Sequence, residues 1–264
     1  MAEARRNKIM FIIPSLVGGG AEKVLVLILR YLDRTRYEPI DVVFSGINDY
    51  KEDIPSDVRI ISLNKKNRFD NLRLVPALSS VIKDERPDLI CSFLYYANYI
   101  SALARKISGL DIPLVFTEHS ILSLAIKEDR LRRFIHLLVK NLYPKAGCVV
   151  SVSKGVKDDL IENYGISEEQ SVVIHNPVEI DRIQVLAKEE VEHHWFKEGR
   201  PVIIACGRLR ATKNYPLLLR AFTIASKETD GLRLVILGEG PLKQELIAYT
   251  EELSISDKVA FMGF

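Results

Sequence analysis

The chain has 264 residues, of which 47% are apolar and 27% charged, with 14 glycines and 11 prolines. That size and balance fit a globular chain larger than a typical single domain and exclude a disulfide-stapled mini-protein, a collagen-like chain and a disordered one. The 37 basic and 35 acidic residues leave a net charge of +2, spread as +3 over 1–178 and −1 over 179–264, too weak to imply a nucleic-acid partner.

Arg5, Arg6 and Lys8 precede the apolar 9–17 stretch as they would in a signal peptide. Pro14 and Ser15 interrupt that stretch, so it reads as a first strand over 8–14. Gly18, Gly19 and Gly20 follow, and then Val24, Leu27, Ile28, Tyr31 and Leu32 at helical spacing. Strands over 40–45 and 58–63, a helix over 72–83 ahead of Pro87, and a strand over 89–94 come next. A helix over 97–108 closes at Gly109, and a strand over 114–118 ends in Glu118 and His119. A basic helix over 130–142, a strand over 148–153, a helix over 156–164 and a strand over 171–174 complete the first alternation. Near-continuous apolar strands separated by helices predict parallel βαβ units and a doubly wound sheet.

The charged stretch 179–199, with adjacent His193 and His194 expected to point apart on a surface helix, reads as a linker between a domain over 1–178 and a second over 200–264. The alternation then restarts: strand 202–206, helix 214–227, strand 232–237, helix 241–253, strand 258–262. Three strands and two helices make an incomplete doubly wound domain, which suggests a piece of a longer chain. Cys91, Cys148 and Cys206 each lie in an apolar run, as buried thiols of a reducing compartment do, and no apolar run approaches the ~18 residues of a membrane span.

Several clusters could carry chemistry. The glycine loop 18–20 can bring backbone N–H groups close to a ligand at a helix N-terminus, or can simply form a turn. A dinucleotide fingerprint fails there, since Lys23 stands at its third glycine and the second strand ends in Phe44, Ser45 and Gly46 without a ribose-binding acid. His119, at the carboxyl end of a strand, is either a proton carrier, a hydrogen-bond donor or a structural histidine, and the same choice applies to His175, next to Asn176 and Pro177. Arg208 and Lys213 flank a helix start marked by Asn214, an expected N-cap, and Pro216. Two cations and a helix dipole converging on one point suit a diphosphate. A second glycine turn, with Gly238 and Gly240, ends the next strand on the same edge. The sequence has no CxxC, no HExxH and no Asp-x-Asp at a strand end, so no metal site is expected.

Gly18-Gly19-Gly20-Ala21-Glu22, Thr117-Glu118-His119, Ser151-Val152-Ser153, Asn176-Pro177-Val178, Gly207-Arg208-Leu209 through Lys213-Asn214, Gly238-Glu239-Gly240-Pro241 and the closing 259–263 stretch appear in the order seen in retaining GT-B glycosyltransferases of family 4. The chain resembles that family over nearly its whole length. The resemblance implies an α/β fold of two Rossmann-like domains facing a cleft, the second incomplete here. The first domain would bind the acceptor and the second a nucleotide-diphospho-sugar, expected to be UDP-linked. A hexosyl or N-acetylhexosaminyl group would be transferred with retention, without metal or cofactor, to a glycan or polyprenyl-linked acceptor. Arg208 and Lys213 would hold the donor diphosphate, His119 and Glu118 would act at the reacting centre, and Gly18, Gly19, Gly20, Asn176, Gly238 and Gly240 would form substrate-binding loops. The family's Glu-x7-Glu segment is expected beyond Phe264. An inactive binding module of the same fold is the alternative, and a sugar-nucleotide epimerase a lesser rival. The resemblance also implies a cytoplasmic enzyme of bacterial glycan assembly, with a peripheral contact at the inner face of the cell membrane. Lys127, Arg130, Arg132, Arg133, Lys140 and Lys145 would make that contact beside an apolar stripe of Leu131, Phe134, Ile135, Leu138 and Leu142, unless the stripe packs on the sheet and the cations are merely solvated.

Overall fold

A computed structural model describes residues 5–67, 70–127 and 131–263, and the chain divides into two compact units, Met1–Val178 and Glu179–Phe264. In the first unit the chain runs β1 (Asn7–Ile13), α1 (Gly20–Tyr31), β2 (Tyr37–Val43), β3 (Arg59–Ser62), α2 (Asn71–Glu85), β4 (Leu89–Phe93), α3 (Leu94–Ser108), β5 (Leu114–Glu118), α4 (Leu122–Ala125), α5 (Arg132–Leu142), β6 (Cys148–Ser151), α6 (Lys154–Tyr164) and β7 (Ser171–Val173). All seven strands are parallel, in the order β3-β2-β1-β4-β5-β6-β7. The order reverses between β1 and β4, so the loops leaving these two strands border the crevice in which such sheets bind ligands.

Strand β1 shows why its sequence is apolar at every position from Ile9 to Ile13. Ile9, Phe11 and Ile13 pack on one face with Leu25 and Leu29 of α1, while Met10 and Ile12 join the opposite core with Leu78 of α2 and Ile100 of α3.

The second unit holds α7 (Ile180–Leu186), α8 (His194–Lys197), β8 (Val202–Cys206), α9 (Tyr215–Glu228), β9 (Arg233–Leu237), α10 (Lys243–Glu252) and β10 (Val259–Gly263). Its parallel sheet runs β10-β9-β8. Leu219 and Phe222 of α9 and Leu246 of α10 pack on Leu234 and Ile236 of β9.

Three local expectations give way. Helix α3 begins at Leu94, three residues before the periodicity suggests, because Leu94 takes φ 73° and turns the chain from strand into helix with no loop residue between. Asn214 does precede α9, but it adopts a left-handed conformation (φ 49°) and its side chain caps nothing. His193 and His194 do not point apart: their rings stack at 4.7 Å and 26°, next to the buried Trp195, over which the Arg233 guanidinium lies at 5.4 Å.

Candidate functional site

At the carboxyl edge of the seven-stranded sheet, the chain leaving β5 carries Thr117, Glu118 and His119. Alternation turns Glu118 inward. It is 1% exposed, and its Oε1 accepts hydrogen bonds from Asn98 Nδ2 at 2.8 Å and from the Tyr143 hydroxyl. Asn98 lies 2.7 Å from Ser92 Oγ, which donates to its side-chain oxygen, so β4, α3, β5 and the turn after α5 are tied by one buried polar knot. Burial pushes the Glu118 carboxyl up to about 8, while the hydrogen bonds from Tyr143 and Asn98 pull it down. The carboxyl that the sequence placed at a reacting centre is thus enclosed among side chains of its own unit rather than exposed.

His119 faces the other way and is partly exposed. Its ring stacks on Phe93 at 5.7 Å and 25°, and its Nε2 lies 3.2 Å from Thr117 Oγ1. Burial holds its pKa down to about 4, so the imidazole is neutral at pH 7 and suits hydrogen bonding better than proton transfer.

The glycine loop is braced by the segment after β2. The Gly18 N–H donates to Asp49 Oδ2 at 2.8 Å, and the Tyr50 hydroxyl to the Gly19 carbonyl at 3.2 Å. A side chain at Gly19 would collide with the Glu22 carboxylate, which folds back over the start of α1. Two carboxylates therefore already face this helix N-terminus, an arrangement that favours hydroxyl groups over an additional anion. His175 Nδ1 lies 3.0 Å from the Val152 carbonyl, which holds the ring to its own unit, and Asn176 beside it is exposed.

In the second unit, the turns leaving β8 and β9 interlock through backbone. Gly207 N–H donates to the Leu237 carbonyl at 2.9 Å, Leu209 N–H to that of Glu239 at 3.0 Å, and Gly238 N–H to that of Gly263 at 2.6 Å. A Cβ at Gly238 would strike the Gly207 carbonyl, and one at Gly240 the Leu209 backbone, so both positions require glycine. Tyr215 at the start of α9 donates its hydroxyl to the Gly207 carbonyl at 2.8 Å. Lys213 lays its stem within 3.9 Å of the place a Gly207 Cβ would take, and it is exposed, as is Arg208. The turn thus carries two exposed cations, Arg208 at its start and Lys213 two residues before α9.

A cavity of about 340 Å³ opens elsewhere in the first unit, lined by Lys127, Arg132, Arg133 and His136 together with Ser123 and Tyr164. Helix α5 buries Ile135 and Val139 against the core, while Phe134 and Leu137 on it and Leu131 just before it are about 60% exposed. The expected stripe is therefore split between core and solvent. Lys140 and Lys145 are exposed as well, and Arg130 lies outside the described residues. Among the described residues no helix is long and apolar enough to cross a membrane, and no three His, Cys, Asp or Glu side chains group to hold a metal ion.

Residues 18–182 match the family described as Glycosyltransferase Family 4, and residues 187–264 that described as Glycosyl transferases group 1. The chain belongs to glycosyltransferase family 4. It is 31% identical over 266 residues to an N-acetylgalactosamine-N,N'-diacetylbacillosaminyl-diphospho-undecaprenol 4-alpha-N-acetylgalactosaminyltransferase of Campylobacter jejuni, covering 98% of this chain and 70% of that protein. A second Campylobacter jejuni protein, an alpha-1,4-N-acetyl-D-galactosaminyltransferase acting on a GalNAc-containing diNAcBac-PP-undecaprenol, is 29% identical, with 97% and 67% covered. The crystal structure of Anabaena HepE in complex with UDP and glucose shares the fold with a TM-score of 0.73 at 22% identity, covering 98% of this chain and 70% of that one. In this glycosyltransferase the GT-B-type α/β architecture thus accompanies a family match over both units. Asn98, Tyr143, Asp49 and Tyr215, which hold the loops in place, carry no local sequence signal that marks them as such.

Proposed function

We propose that this glycosyltransferase moves an N-acetylhexosaminyl or hexosyl group from a UDP-sugar to a lipid-linked glycan, with retention at the transferred carbon and without a metal. The observation that carries the proposal is the interlocked turn of the second unit, whose fixed backbone carries Arg208 and, two residues before α9, Lys213. As the bond from C1 of the sugar to the diphosphate breaks, negative charge gathers on the departing oxygen. A forked guanidinium and an ammonium carried on a fixed turn, together with a helix dipole, stabilise that charge. The second unit is accordingly assigned the donor, with Gly238 and Gly240 as loops at its phosphates, and the first unit the acceptor, with Asn176 following its last strand.

In the first unit, neutral His119 offers a hydrogen bond to a sugar hydroxyl, and the glycine loop 18–20, backed by Asp49 and Glu22, suits hydroxyls too. Glu118 acts as the buried support of the β5 end. The two Campylobacter relatives act on undecaprenol-linked substrates by their names. The exposed apolar residues of α5 beside Lys127, Arg132 and Arg133 fit an acceptor of that kind, delivered at an anionic membrane surface.

Incubation of the chain with a panel of UDP-sugars and a prenyl-diphosphate-linked glycan, followed by mass spectrometry, tests the proposal. One added sugar, in the donor's anomeric configuration by NMR, is expected, and an acceptor of unchanged mass with every donor would refute it. EDTA should leave the rate intact; a loss that added Mg²⁺ restores would remove the metal-free part alone.

A further inference from the structure

The segment between β2 and β3, residues 44–58, forms neither helix nor strand, and connections of that length inside a compact unit usually serve a site. It is tied to both ends of α1. Where the helix begins, the Asp49 N–H donates to the Leu16 carbonyl at 2.9 Å, the Gly18 N–H to Asp49 Oδ2 and the Tyr50 hydroxyl to the Gly19 carbonyl. Near its other end, Arg30 Nη2 donates to Asp53 twice, to Oδ1 at 2.7 Å and to the carbonyl at 3.1 Å. Just past the helix, Arg34 Nε donates to Asp57 Oδ2. A turn joins the two attachments, since the Asp53 and Ile54 N–H groups both donate to the Tyr50 carbonyl, at 2.9 and 3.2 Å. The grip of Arg30 on Asp53 therefore reaches Gly19 through Tyr50, although Arg30 stands about 15 Å along the helix from Gly20.

We propose that Arg30 is a positioning residue for the glycine loop: by holding Asp53 it keeps the 44–58 segment in place along α1, so that Asp49 and Tyr50 fix the backbone of Gly18 and Gly19 for an acceptor sugar. That the loop meets the acceptor rests on the function proposed above; the coupling of Arg30 to the loop does not. A loosened loop has to be ordered each time the acceptor binds, which weakens acceptor binding and leaves the sugar nucleotide, assigned to the second unit, unaffected. Ile54 and Val58 pack on the core with Leu25 and Leu29 of α1, so loss of the Arg30 contacts loosens the segment without unfolding the unit.

Amide hydrogen exchange of the full chain, read by mass spectrometry, tests the coupling on peptides spanning 14–22 and 46–54. Three variants are compared with wild type: Arg30→Met, which keeps the apolar stem; Arg30→Lys, whose ammonium can replace the one nitrogen that makes both bonds; and Arg105→Met, which removes a remote ion pair with Asp111. Arg30→Met should speed exchange in both peptides about tenfold, the scale of one hydrogen bond, and leave β4 and β5 unchanged. Arg30→Lys and Arg105→Met should exchange as wild type does. In transfer assays Arg30→Met should raise KM for the acceptor about tenfold with KM for the UDP-sugar unchanged, and Arg30→Lys should restore it. Wild-type exchange at 14–22 in Arg30→Met overturns the proposal, as does exchange that rises equally in β4 and β5, or the same loosening in Arg105→Met. Equal rises in both KM values, or a loosened loop with acceptor KM unchanged, overturn it too. If Arg30→Met does not fold, Asp53→Asn takes its place in both measurements. Exchange needs no sugar transfer, so the expected loosening in a chain that fails to transfer supports the coupling and counts against the function alone.

Discussion

Arg208 and Lys213 sit in a turn whose backbone is held by its neighbours, so removing either side chain should spare the fold and strike the chemistry. Each alanine variant is expected to lose ~3 kcal/mol of transition-state stabilisation, about a hundredfold in kcat, with Tm nearly unchanged; unaltered kcat in either variant would remove its diphosphate role. His119 and Glu118 make opposite pH predictions. The folded His119 pKa, about 4, lies below its ordinary 6.5, so the unfolded chain binds more protons in between and stability falls as pH drops from 6.5 to 4. The folded Glu118 pKa, about 8, lies above its ordinary 4.5, so its contribution is complete below 4.5 and is lost as pH rises through 8. Glu118→Gln, which mimics the neutral acid, should therefore raise Tm relative to wild type at pH 9 and change it little at pH 4. Parallel Tm profiles of variant and wild type from pH 4 to 9 would show that the carboxyl is not held in its neutral form.

At the scale of elements, the turns after β8 and β9 behave as one part. Gly238→Ala or Gly240→Ala places a methyl group against a facing backbone that has no flexible end to move, which should cost about 3 kcal/mol and appear as a lower midpoint in urea unfolding. An unchanged midpoint would show the two turns are free to separate. Helix α5 belongs to a different surface. Its buried seam of Ile135 and Val139 accounts for its attachment to the sheet, and the exposed Leu131, Phe134 and Leu137 are left for something else. Co-sedimentation with anionic vesicles should fall as NaCl rises, and should fall further when Arg132 and Arg133 become Glu. Equal sedimentation with neutral and anionic vesicles would remove the membrane contact and leave the sugar transfer untouched.

For the whole molecule, the parallel architecture was legible because strands such as β1 are buried on both faces and so read as unbroken apolar runs. The glycine turns were legible because backbone crowding leaves a residue-type signature at Gly238 and Gly240. What holds Glu118 was not: Asn98 and Tyr143 stand 20 and 25 residues away along the chain and resemble ordinary helix and turn residues until the sheet brings them together. The left-handed Leu94 was also silent, since nothing about a leucine announces a positive φ. The inward turn of the α5 seam could be read only in part, because helical spacing marks an apolar stripe without saying how much of it the sheet covers.

Whether the second unit's turn holds a diphosphate is tested most directly by comparing UDP with UMP in calorimetric titrations of the full chain. Charge-assisted hydrogen bonds from Arg208 and Lys213 to the second phosphate should make UDP bind at least about tenfold more tightly than UMP, with Arg208→Ala and Lys213→Ala each narrowing the gap. Equal affinity for UDP and UMP, or a gap that survives both substitutions, would contradict a diphosphate site there.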